Sequence, residues 1–142
     1  MSLYSERLAH LKKELSQEIA KRKKKKKKFT HNQQIMIDFI NGAKKEARFI
    51  IKEMDVVLKK GDDKKGFIHI LQEHYCKGCK GELTMLDLLN FDLYLSRAIK
   101  LNEDGVSNNS LDVYKYIKGL QQYKIVLKKE EESLVVTFYS VG

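Results

Sequence analysis

The stretch GFIHILQEHYCKGCKG, residues 66–81, gathers His69, His74, Cys76 and Cys79 into eleven positions. Imidazoles titrate near neutrality and can take or give a proton. A Cys-x-x-Cys pair can grip zinc or exchange with a disulfide, given the right backbone around it. Structural zinc sites usually draw two ligands from each of two separated arms, whereas all four groups here share one short segment. On a helix, positions five apart differ by about 140° around the axis, so the two imidazoles should diverge. A redox pair of the thioredoxin kind needs its cysteines at the mouth of a helix that follows a strand. The glycines of CKGCKG point instead to a turn after a helix. The cysteines are therefore read as turn residues or small hydrophobes, and no metal or cofactor is called for.

The histidines divide by face. Phe67, Ile70, Leu71 and Tyr75 define an apolar arc, with His74 inside its edge and His69 near the opposite side. Taken alone, His74 is a hydrogen-bonded core histidine and His69 a surface one. The closing run SLVVTFYSV, residues 133–141, changes that weighing. Strand alternation puts Val135, Thr137 and Tyr139 on one face, and Leu134, Val136 and Phe138 on the other. A hydroxyl and a phenol side by side on a strand otherwise made of core residues either bind something or make ordinary tertiary hydrogen bonds. Tyr114 and Tyr116 share a face of an earlier strand, where they would stack bases or simply pack. Lys124, in the strand between, is placed to face Thr137.

A glycine-led helix of the form GFIHILQEH, a short helical region and strands ending in YKIVLKKEEESLVVTFYS resemble the phage-associated nucleases of the barnase, EndoU, colicin and RelE-like superfamily. The resemblance spans residues 46–140 and leaves the N-terminal helix and lysine run outside. It implies an α+β fold with helices packed on a curved antiparallel sheet, and metal-independent RNA cleavage on the sheet face. His69 and His74 match the helix histidines, and Thr137 and Tyr139 match the hydroxyl residues of the last strand. The CKGC turn and the lysine run depart from the pattern and leave the choice of RNA open. Such cleavage needs a base for the ribose 2′-OH, an acid for the leaving oxygen and donors for the charged phosphorane. The expectation is a toxin- or phage-associated endoribonuclease. In it His74 transfers the proton, or His69 if the helix is shorter or rotated. Thr137 and Tyr139 hold the phosphate, and Lys124 or Arg97 adds positive charge. The competing expectation is a non-catalytic nucleic-acid-binding or phage-accessory protein attached through its lysines.

The elements that must position these groups follow from periodicity and punctuation. Tyr4, Leu8, Leu11, Leu15 and Ile19 recur at helical spacing, so residues 3 to 24 read as an amphipathic helix whose stripe packs at an edge or docks a partner protein. Thr30 and Gln33 form a capping box ahead of a second helix that stops at Gly42. ARFIIKEMDVVL, residues 47–58, is ambiguous between strand and helix. Thr84 and Asp87 flank the start of another short helix, and FDLYLSRAIKL continues as helix or passes into strand. After the polar loop NEDGVSNNS, the runs DVYKYIKG, QQYKIVLKK and SLVVTFYSV make a three-stranded antiparallel meander. Helices first and a sheet last predict an α+β architecture, N-terminal helices packed on a sheet formed mainly by the C-terminal half of the sequence.

Composition agrees with one domain, since 142 residues with 42% hydrophobic content build an ordinary core without disulfides or metal. The net charge of +9 is not spread evenly: residues 1–28 hold eleven Lys/Arg against three Glu, and the other 114 hold seventeen against sixteen. The division expected is thus an amphipathic helix and lysine-rich arm over 1–28, followed by a single nuclease-like domain over 29–142. Lys21–Lys28 is a solvated, self-repelling run or an electrostatic arm for polyanions such as RNA. The sequence has no membrane-length apolar run and no signal-peptide pattern at its start, so a soluble cytoplasmic protein is expected.

Overall fold

The computed structural model describes residues 2–101 and 111–141, so the expected polar loop NEDGVSNNS lies outside the described residues. Helix α1 spans Leu3–Lys24, starting where the Ser2 hydroxyl accepts from the Ser5 amide. Helix α2, His31–Ile40, opens with the Thr30/Gln33 capping box. Helices α3 (Phe67–His74), α4 (Met85–Leu89) and α5 (Phe91–Arg97) complete the helical layer. The strands are β1 (Glu46–Ile51), β2 (Met54–Lys59), β3 (Ile99–Lys100), β4 (Leu111–Lys118), β5 (Gln121–Lys129) and β6 (Ser133–Val141).

The ambiguous segment 47–58 is a hairpin, turned at Lys52 and Glu53 with positive φ. One sheet runs in the order β1-β2-β6-β5-β4-β3. The fold is α+β as expected, but the sheet is mixed: β6 runs parallel to β2, while every other neighbouring pair is antiparallel. That parallel contact is short, joining Val56 to Ser133 and Val57 to Leu134. Beyond it β6 has a free edge, and loop backbone covers this edge instead of a strand. The Gly66 amide donates to the Val136 carbonyl at 2.8 Å, and the Ser140 amide donates to the Gly81 carbonyl at 3.2 Å. Both ends of the α3 segment are thereby stitched to β6.

Buried side chains of all five helices and of one sheet face form a single core. Helix α1 belongs to it: Leu11 and Leu15 are buried, with Tyr4, Leu8 and Ile19 packed alongside. Each fully buried leucine stabilises the fold by about 1.5–3 kcal/mol. Of the two roles expected for this apolar stripe, packing at an edge or docking a partner, the core displays the packing. The amphipathic helix expected at the start of the chain thus packs on the body, and Lys23–Lys28 at its C-terminal end are exposed. No helix among the described residues is long and apolar enough to cross a membrane.

Candidate functional site

The end of α3 is fixed by three contacts. Arg7 donates to the carbonyls of Leu71 and Gln72, two of the acceptors a helix C-terminus leaves unpaired. Tyr75 donates its phenol proton to Glu14 of α1. The chain then loops back, so that the Leu83 amide donates to the His74 carbonyl at 2.8 Å. The His74 imidazole lies within this loop. Its Nδ1 is 3.0 Å from the Lys80 carbonyl. A carbonyl only accepts, so Nδ1 carries the proton and Nε2 keeps a free lone pair. The ring stacks on Tyr139 with centroids 5.2 Å apart. Gly81 makes this fit possible, since a Cβ there would lie 2.5 Å from His74 Nδ1 and 3.1 Å from the Tyr139 Cβ.

His69 does not diverge from His74 as helix geometry alone predicts: their ring centroids are 5.7 Å apart, edge to face. Loop carbonyls set the directions of both rings, Lys80 for His74 and Asp63 for His69 at 3.1 Å. Burial pushes the His74 imidazole below its ordinary pKa; the Lys80 hydrogen bond opposes this, a charge on His69 adds to it, and Glu73 opposes it more weakly. The net shift favours the neutral form of His74.

The strand residues divide by register. Tyr139 pairs with Lys124 and Thr137 with Val126, so these four share the sheet face opposite the one where Tyr123, Ile125 and Leu127 join the core. A register shift between Val126 and Leu127 then makes Val136 an extra residue in β6. Strict alternation fails there. Val135 falls on the core face with Phe138 and Ser140, not beside Thr137 and Tyr139 as expected. Thr137 Oγ1 is buried without a hydrogen-bond partner, so its hydroxyl is not presented to a ligand. Tyr114 and Tyr116 do share a face, but their register partners Ile125 and Tyr123 place it against the helices. Tyr116 is buried among aromatic rings and Tyr114 packs on the core, which removes both as base-stacking platforms. Arg97 ends α5, ahead of edge strand β3 and three strand positions from β6, and is not brought to His74.

One neighbour of Lys124 was not singled out in the sequence. Lys115 of β4 is its direct cross-strand partner. On the same face their flanking residues are Gln122, Val126, Val113, Ile117 and Tyr139, with Ile99 opposite Lys115. None of these described register neighbours is acidic, and two apposed cations of this kind favour a bound anion.

His74 and Tyr139 line the rim of an open cleft of about 1360 Å³, with Arg7, Lys80, Lys118 and Glu73 among its other walls. Its floor holds a feature that the capping motif alone did not reveal. Asp87 is buried, and its Oδ1 accepts from the phenols of Tyr94 and Tyr123 at 2.8 and 2.9 Å. Its Oδ2 accepts from the Thr84 amide at 2.9 Å. Burial, followed by the Asp87 hydrogen bond, pushes the Tyr123 phenol up to about 12, and Tyr94 rises for the same two reasons. Cys76 and Cys79, read from sequence as turn residues or small hydrophobes, are joined in a disulfide that also lines this cleft. The bond consumes the two thiolates a zinc site would need. Comparison with known proteins finds no matching family model, no similar curated protein and no similar solved structure.

Proposed function

We infer that this protein cleaves RNA phosphodiesters without a metal ion, with His74 as the general base. The observation that carries the reading is His74 itself: a neutral imidazole at the mouth of a cleft, oriented by the Lys80 carbonyl and stacked on Tyr139. With Nδ1–H donated, Nε2 takes the proton of a ribose 2′-OH. The 2′ oxygen attacks the adjacent phosphorus and the P–O5′ bond breaks. The products are a 2′,3′-cyclic phosphate and a 5′-hydroxyl whose proton comes from His69, 5.7 Å away ring to ring. Tyr139 positions the His74 ring. Lys124 and Lys115, on the same sheet face as Tyr139, hold flanking phosphates.

The test is cleavage of single-stranded RNA in EDTA. His74→Ala is expected to lose roughly 10²- to 10⁴-fold in rate. Thr137→Val, which removes only a sealed hydroxyl, stays near wild type. Equal cleavage by wild type and His74→Ala rejects the assignment. One observation favours a second reading, binding without turnover: α1 carries Lys24 about 25 Å along its axis from Arg7 at the cleft, so the basic end and the histidine are separate features. Wild-type protein that binds RNA and leaves it intact selects that reading.

A further inference from the structure

The loop that holds His74 is also the loop that carries the disulfide. Cys76–Cys79 spans a turn at Gly78, whose φ is +79° and whose amide donates to Glu82 at 2.7 Å. The next residue, Lys80, supplies the carbonyl that orients the His74 ring, and Gly81 after it packs against that ring. Outside this stretch the backbone is anchored, on one side by the Leu83 amide on the His74 carbonyl. On the other side Ser140 donates to the Gly81 carbonyl from its amide and to the Glu82 carbonyl from its hydroxyl. The disulfide is thus the one covalent restraint on the segment between those anchors, and both its cysteines face the cleft that His74 lines.

We propose that Cys76–Cys79 is a thiol–disulfide exchange site, open to dithiol reductants through the cleft, whose reduction releases the Lys80 carbonyl from His74 and switches the site off. The exchange balances as two steps. A reductant thiolate attacks one cysteine sulfur, forming a mixed disulfide and expelling the other cysteine as thiolate. The reductant's second thiol then closes its own disulfide. Two electrons and two protons leave the dithiol, and Cys76 and Cys79 become thiols. The flanking cations Lys77 and Lys80 favour the expelled thiolate. A loop of this length restrains the unfolded chain weakly, so the fold does not depend on the bond and reduction takes place in the native protein. Without it the turn relaxes, His74 loses the acceptor that fixes its tautomer, and Nε2 is no longer held as the free base.

The effect on catalysis rests on the ribonuclease reading, but the exchange and the motion of His74 do not. The experiment follows the full-length protein with dithiothreitol as the probe. Free thiols are counted by alkylation, the His74 tautomer is read from its ring ¹⁵N shifts, and RNA cleavage is timed before reduction, after it and after reoxidation. The expected result is rapid labelling of both cysteines in the folded protein, a shift of His74 from the Nδ1–H form to a mixture, and a cleavage rate lower by roughly ten- to a hundredfold, restored on reoxidation. The Cys76→Ser/Cys79→Ser double variant should match the reduced protein and ignore dithiothreitol. A disulfide that resists dithiothreitol until the protein unfolds overturns the proposal. So do two free thiols that do not oxidise, or His74 shifts that are the same in both states. If His74 responds but neither form cleaves RNA, the exchange site stands and the ribonuclease reading fails. Cleavage that is present and indifferent to reduction leaves the ribonuclease reading standing and overturns the switch.

Discussion

The floor and the rim of the cleft use the same kinds of side chain to opposite ends. On the floor, Tyr94 and Tyr123 turn their phenols onto one buried carboxylate, Asp87, whose other oxygen caps α4. Each donor there has its acceptor, and the rings of Tyr94, Tyr116 and Tyr123 pack on one another with centroids 4.8–6.3 Å apart. At the rim, Tyr139 supports an imidazole whose Nε2 is unspent, and Lys124 faces Lys115 with no counter-charge among its register neighbours. A polar group fully matched within the fold contributes to stability. One left with spare capacity at an opening is available for chemistry. The difference between the two regions lies in hydrogen-bond and charge accounting, not in residue type.

Removing the hub of the floor tests the comparison most severely. Asp87→Ala strands two buried phenols and ends the Thr84 capping box, so stability should fall by roughly 3–5 kcal/mol. A denaturant midpoint that drops at constant slope would register this. His74→Ala at the rim should leave that midpoint within about 1 kcal/mol of wild type, because its main polar partner is a loop carbonyl. If Asp87→Ala is tolerated and His74→Ala unfolds the protein, the roles of floor and rim are exchanged.

A smaller effect comes from alkali. The Tyr123 phenol has its pKa raised from 10.0 to about 12 in the fold, first by burial and then by the Asp87 hydrogen bond. Below pH 10 both folded and unfolded chains keep this proton. Between pH 10 and 12 the unfolded chain loses it while the folded one retains it, so stability declines as pH rises through that window. Tyr94 is shifted in the same direction and steepens the decline. Tyr123→Phe should flatten the profile of unfolding free energy above pH 10, and an unchanged slope would remove Tyr123 from the cluster.

Much of this contrast could not be read along the chain. Helix ends announced themselves chemically: Thr30 with Gln33 is a capping box in both sequence and structure, Thr84 and Asp87, which flank a helix start in the sequence, form another, and the three C-terminal strands follow their β-branched and aromatic runs. Local signals of this kind survive because a cap or a turn closes over three or four residues. Three features escaped for lack of such a signal. The parallel contact of β2 with β6 joins residues far apart in sequence, and nothing local encodes it. The bulge at Val136 reverses the face of Val135, so the side shared by Thr137 and Tyr139 was read correctly only beyond it. Which face of β4 the helices cover is likewise a tertiary choice, and it sent Tyr114 and Tyr116 inward. Of the candidate site, the pairing of His74 with Tyr139 and the placement of Lys124 were legible; Lys115, Asp87 as a hub and the disulfide were not.

The weakest effect bears on where RNA would lie under the proposed function. Lys124 and Lys115 stand directly across from each other, and like charges in that position destabilise a sheet by about 0.2–1 kcal/mol. Lys124→Gln should therefore raise the unfolding free energy slightly while weakening RNA binding. Loss of one contact to single-stranded phosphate lowers the slope of log K against log salt by about 0.7. Neutralising Lys25 at the far end of α1 provides the comparison, because that lysine lies outside the cleft and off the sheet. If the sheet face is the track, the salt slope falls for Lys124→Gln and holds for Lys25→Gln. The opposite pattern, with stability still rising in Lys124→Gln, would place the polyanion on the lysine run and leave the apposed pair as an unrelieved repulsion.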